Sequence, residues 1–387
     1  MANSSSEFRT QWSQPSDVFS LLLILGGDVI QLALSSPLTP VAFSFGWVAY
    51  AVSAMLASVA GSSGPSVPEI PLLAFNLESR RSLTNQSWLL ARVVRYYEFW
   101  MPNEVKGILD PKPVTYKKDL NDLEGIVVPE RKALCVAMYK WRTGGGYKPG
   151  IPKHDWVWWS GIVVTVVQLG ISAVPFGLHN DWSIFLITAC GTTLAYAFSL
   201  LPQLNYLRRW NRPVRGKNIA LTQGNGFRHV IIILKGEDSV DLERLADGFY
   251  SDTGLIVGYK AVLGILWILL LATSVGIRTN TWYLLAVGFL GMAQNLVVAR
   301  APRHPDALGI PLEFVPGIIA EEKVMWTLME LELKYPNFGS ALLMEFFPGL
   351  LLQWEERWWR SEDLGERRAW LDDNKRKRSR RVQEPRG

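Results

Sequence analysis

Trp156-Val-Trp-Trp-Ser-Gly-Ile-Val-Val-Thr-Val-Val-Gln-Leu-Gly-Ile-Ser-Ala-Val-Pro-Phe176 decides what kind of protein this is. The stretch holds no Asp, Glu, Lys or Arg, and a helix of about 20 mostly apolar residues crosses about 30 Å of hydrocarbon. Residues 182–201, 255–276 and 281–299 read the same way, as does 41–60 upstream, where Gly46, Ala49, Ala51, Ser53 and Ala54 suit close helix packing. The chain carries 17 Trp. Several flank these stretches, where an amphipathic ring sits at a bilayer interface: Trp156, Trp158 and Trp159 at one end, Trp182 and Trp282 at the other.

A sixth stretch, 18–35 (VFSLLLILGGDVIQLALS), is weaker. Its Val, Leu, Ile and Phe residues favour insertion by about 0.3–0.6 kcal/mol each, against about 2.5–3.5 kcal/mol for a central Asp28. A cleaved signal peptide is the rival reading, and Asp28 would spoil its apolar region. Charge then sets the orientation. Of 40 Lys and Arg, 14 fall in residues 61–154, eight in 202–254, 15 from Arg300 onward, and Arg9 lies in the N-terminal segment. The connections 36–40 and 177–181 have none, and 277–280 has only Arg278. Basic flanks stay cytoplasmic, which places both termini and both long loops inside.

The expected fold is mainly α: six transmembrane helices as three hairpins, a small cytoplasmic α+β portion and an amphipathic C-terminal tail. Residues 1–17 form a cytoplasmic segment, 18–60 the first hairpin, 61–154 a cytoplasmic loop and 155–201 the second hairpin. Residues 202–254 form a second cytoplasmic loop, 255–299 the third hairpin and 300–387 the tail. Shared words (Val29-Ile-Gln-Leu-Ala-Leu-Ser35 with Val166-Val-Gln-Leu-Gly-Ile-Ser172, and Ala49-Tyr-Ala-Val-Ser53 with Ala195-Tyr-Ala-Phe-Ser199) hint at a duplicated hairpin, although apolar alphabets are small. Within the loops, Gly224-Asn-Gly226 between β-prone runs reads as a β-hairpin. Asp238 and Ser239 cap a helix to about Ala246, and 132–141 reads as a strand. In the tail, 319–334 reads as an amphipathic helix. Residues 338–371 suit the membrane surface or the sheet, and a disordered basic run follows from about 373.

Five words, Gly26-Gly-Asp-Val-Ile-Gln-Leu-Ala-Leu34, Thr39-Pro-Val-Ala-Phe-Ser-Phe-Gly-Trp-Val-Ala-Tyr50, Tyr97-Glu-Phe-Trp100, Pro152-Lys-His-Asp-Trp156 and Leu221-Thr-Gln-Gly-Asn-Gly226, resemble a family of filamentous-fungal multi-pass integral membrane proteins. The resemblance covers most of the chain and implies fold and location. It lends no activity and no site residues. The Ser/Pro-rich 61–71 and the arginine-rich end depart from it.

Charged groups in hydrocarbon are expensive, so Asp28 is the leading candidate for function, with Gln31 one turn away. It would either carry a cation or proton through the bundle, or fix packing by pairing with Lys260 or Gln168. Lys260 also suits snorkelling to the interface, and Gln168, Gln294 and Asn295 suit interhelical hydrogen bonding. His154–Asp155 lacks a nucleophile or metal partner. Cys135 and Cys190 form no disulfide framework, and the four His complete no zinc pattern. No Walker loop, nucleophile elbow or HExxH motif occurs, so no cofactor is expected. Expected partners are the bilayer, anionic lipid at Lys375–Arg381 and a cytoplasmic protein, with no nucleic acid. A non-catalytic protein with a partner-binding or sensing inner face leads, and a small transporter or channel using Asp28 is the alternative. No retrieval signal is readable, so plasma membrane and endomembrane fit equally.

Overall fold

The computed structural model describes residues 26–34, 39–60, 68–109, 112–116, 126–130, 132–210, 216–248, 254–277 and 279–383. The chain divides into two compact units, each assembled from segments that alternate along the sequence.

The first unit contains four helices long and apolar enough to cross a membrane: Trp156–His179, Ser183–Trp210 (apolar over Ser183–Leu200), Gly254–Val275 and Thr281–Arg300. They are joined in pairs by tight turns at 180–182 and 276–280. Asn180 and Asn280 take the left-handed conformation there (φ 54° and 56°), which an Asn tolerates. Asp181 ties the two turns together, accepting from Asn280 Nδ2 at 3.0 Å and Thr279 Oγ1 at 3.3 Å as well as from Ser183 N. These hydrogen bonds, Ser183 Oγ foremost, hold its carboxyl below the usual carboxylate range. All four helices therefore bring one end to the Asp181 turns and the other to Asp155 and Arg300.

The first expected hairpin, 18–60, takes a different form. Residues 18–25 lie outside the described residues, and 26–34 are helical. Residues 39–44 are extended where a helix was expected from 41, and a helix runs only over Gly46–Val59. Its 14 residues cover about 21 Å, short of the hydrocarbon thickness. The backbone of Ala42 and Phe43 bonds instead to the side chains of Asn295 and Gln168. The two helical pieces cross where Gly26 meets Gly46, and a Cβ on either would overlap the other's backbone.

The second unit is built on a six-stranded sheet of order β2-β1-β6-β7-β5-β8, with β1 Leu73–Asn76, β2 Arg81–Thr84, β5 Leu134–Trp141, β6 Ile219–Thr222, β7 His229–Ile233 and β8 Leu312–Glu321. Strands β3 Lys112–Tyr116 and β4 Ile126–Glu130 form a separate hairpin. Only β5 and β7 pair in parallel. Strands β6 and β7 are buried throughout, which explains their unbroken apolar runs. One face, with Val136, Met138, Val230 and Ile232, packs against helices Val324–Lys334 and Phe338–Phe346. The short helix Tyr97–Trp100 supplies Tyr97 and Trp100 to the ring cluster around Tyr139.

Two tail expectations change. The helix expected over 319–334 is strand up to Glu321, because Ile319 and its neighbours pair with β5, and it becomes helix only from Val324. The basic end expected to be disordered lies in a helix, Leu364–Gln383, started by Asp363 and supported by the Lys377–Asp373 pair at 2.6 Å.

Candidate functional site

The non-helical segment 39–45 is buried inside the membrane unit, and the polar groups around it read its backbone. Asn295, fully buried, accepts from Ala42 N at 2.9 Å and donates Nδ2 to Ala42 O at 2.9 Å. Trp47 Nε1 donates to the same carbonyl at 3.0 Å. Gln168 Nε2 bridges Phe43 O and Val287 O, both at 2.8 Å. At the segment's start, Arg303 donates Nη1 to Thr39 Oγ1 at 2.6 Å and grips Asp155 through two 2.7 Å contacts, while Asp155 also caps the Trp156 helix. Non-helical backbone at membrane depth persists only where protein or water satisfies it, and here the protein does.

Sterics agree. A Cβ at Gly291 would overlap the Phe43 carbonyl, one at Gly191 the Phe43 ring, and one at Gly161 would come within 2.7 Å of Pro40 O. Three helices thus use glycine to form the slot. Trp267 stacks between Phe43 (6.1 Å) and Trp47 (5.8 Å), and Phe198 packs against Trp47 at 6.0 Å. The path follows from these partners. Thr39 lies beside Asp155 and Arg303, whereas Phe43 lies beside Gln168, about 18 Å further along the Trp156 helix. The Gly46 helix then runs antiparallel to Gly254–Val275, with Trp47 by Trp267 and Met55 by Gly264. It therefore returns toward the end from which the segment entered. The 39–59 stretch thus enters the helix bundle and turns back inside it, the path of a re-entrant segment.

The expected site residues separate. Asp28 and Gln31 are exposed on the unit's exterior, and Lys260 is half-buried six residues into its helix. Gln168 alone sits in the buried polar set, and its partners are backbone carbonyls. Its Oε1 has no hydrogen-bond partner. Asn295 read as interhelical glue, yet it serves the re-entrant backbone; Arg303 was not singled out. The signal available for both was the proline-bearing word Thr39-Pro40 opening an apolar run.

On the sheet, Cys135 and His229 are register partners on β5 and β7. Tyr97 OH and Tyr139 OH lie 3.0 Å apart, and the Tyr97 ring packs against His229 at 5.0 Å. Burial pushes the Cys135 thiol up to about 12, raises both tyrosines and drops His229 to about 4. All four are neutral near pH 7, so the cluster offers neither thiolate nor imidazolium. Among the described residues, no group of three His, Cys, Asp or Glu is placed to hold a metal ion.

Four apolar helices of spanning length define a membrane protein that also carries a folded, sheet-based unit. No family model matches the chain, and no curated protein or solved structure does either.

Proposed function

We propose that this chain is a non-catalytic integral membrane protein whose sheet unit faces the cytoplasm with the basic loops and tail and binds a protein partner there. One observation carries the reading: Met344, Leu350 and Leu352 project from the sheet unit, Leu350 with its side chain fully exposed. Large apolar side chains left open along one short segment mark an interaction surface. The positive-inside distribution of Lys and Arg supports the orientation.

Transport is the second reading, favoured by the re-entrant segment, a device that transporters and channels use. Against it, the bundle's interior is filled by Phe43, Trp47, Phe198 and Trp267, and Asp28 is exposed. Both readings meet in one experiment. The purified protein is reconstituted into vesicles and assayed for ion and solute flux, and a photo-crosslinker at Leu350 is activated in native membranes. Flux equal to protein-free vesicles and one discrete protein adduct, lost in Leu352→Asp, are expected. Flux above that background, or adducts with lipid alone, overturns the proposal.

A further inference from the structure

The C-terminal helix Leu364–Gln383 is held to its own unit in an unusual way. Among its described side chains, Leu371 is the one that is fully buried, with Trp370 partly buried beside it, against Met325, Trp326, Met329 and Trp358. Trp358 Nε1 donates to Arg367 O at 2.7 Å, and Arg367 lies over the Trp358 ring; the grip further along the helix is charge. Lys375 Nζ contacts Glu321 at 2.8 Å and Glu330 at 2.7 Å, Arg368 contacts Glu330 at 2.6 Å, and Arg378 contacts Glu322 at 3.1 Å. The Arg378 guanidinium also lies over the Trp326 ring at 5.7 Å. Burial works against the charge on Lys375, yet its hydrogen bonds to Glu321 and Glu330 leave its pKa raised. These pairs keep substantial solvent exposure, where ion pairs are individually weak and screened by salt.

The same helix carries Lys375-Arg-Lys-Arg-Ser-Arg-Arg381, six basic residues in seven positions. Arg376 and Lys377 are exposed and make none of these contacts with the acidic edge. The polybasic helix thus belongs to a chain that also carries four helices of membrane-spanning length. An anionic bilayer offers the run a dense array of negative charge, and its attraction falls off within about a Debye length of the surface.

We propose that the C-terminal helix is a releasable strap that reads bilayer charge. Its basic run exchanges Glu321, Glu322 and Glu330 for anionic phospholipid headgroups, and its departure uncovers Met325, Trp326 and Met329. Two methionines beside a tryptophan form an adaptable apolar surface of the kind promiscuous helix-binding grooves use.

The test uses the full chain in nanodiscs of phosphatidylcholine alone or with phosphatidylserine added, read by hydrogen exchange. Phosphatidylserine is expected to speed exchange across 364–378, and across the Trp326 helix, by about tenfold. Glu321→Gln with Glu330→Gln should give the fast pattern in phosphatidylcholine alone. Arg376→Gln, Lys377→Gln, Arg380→Gln and Arg381→Gln combined should keep the strap docked and abolish the lipid response. Exchange that ignores phosphatidylserine overturns the proposal, and so does a lipid response that survives the fourfold variant.

Discussion

Asn295→Leu discriminates between two roles for a buried amide. If Asn295 were ordinary interhelical glue, its loss would cost about 0.6 kcal/mol, the average for hydrogen bonds between membrane helices. The geometry assigns it more. Leucine is close in size but leaves Ala42 N–H buried without an acceptor, while Ala42 O keeps Trp47 Nε1. An orphaned buried donor costs about 1–3 kcal/mol, and the loss of all three Asn295 hydrogen bonds, to Ala42 N, Ala42 O and Ser44 Oγ, brings the expectation to about 3 kcal/mol. Unfolding in mixed micelles by titrated dodecyl sulfate, followed by circular dichroism, supplies the number. Gln294→Leu is the control, because Gln294 Nε2 donates to Ser160 Oγ at 2.9 Å between helices and touches none of the re-entrant backbone. Its expected cost is about 0.6 kcal/mol. Equal costs for the two variants would refute the backbone-clamp reasoning.

Gly291→Ala drives a methyl into the Phe43 carbonyl and should destabilise by about 1–3 kcal/mol on the same assay, whereas Gly170→Ala, with open space at its Cβ, should not. Cysteines at Lys153, next to the Asp155 end where Thr39 lies, and at Val59, introduced into a chain lacking Cys135 and Cys190, should react with an impermeant maleimide from the same side of the membrane. Opposite sides would rule out re-entrance. The sheet unit should weaken on acidification. His229 titrates at about 4 when folded and at 6.5 as an ordinary imidazole, so between those values the unfolded chain binds the extra proton and stability falls as pH falls. The loss should reach about 2 kcal/mol by about pH 5 in urea titrations and shrink in His229→Phe.

The four spans were legible because about 20 uncharged apolar residues have few alternatives. The β6–β7 hairpin was legible from Gly224 and Gly226, both at positive φ (87° and 97°) around its turn. The re-entrant segment was not. Val41-Ala-Phe-Ser-Phe45 is as apolar as a span, and what makes it extended lies up to 253 residues away, in Asn295 and in glycines on three other helices. Asp28 misled for a related reason: cost of burial ranks a residue only if it is buried, and here it is exposed. Strand β8 was hidden because Ile318 and Ile319 suit helix or strand, and pairing with β5 decides between them.

Strand β5, next to the sheet's edge, pairs with β7 through Cys135 and His229 and with β8 through Leu134 and Glu321. Its two neighbours are therefore translated about 90 and about 180 residues after it, with membrane helices between. Until the ribosome has delivered β8, β5 has an unsatisfied edge and its apolar face no lasting cover. The sheet can therefore close only after all four helices of spanning length have been translated. A chain stalled short of β8 would keep that apolar strand edge on display for chaperones and proteases.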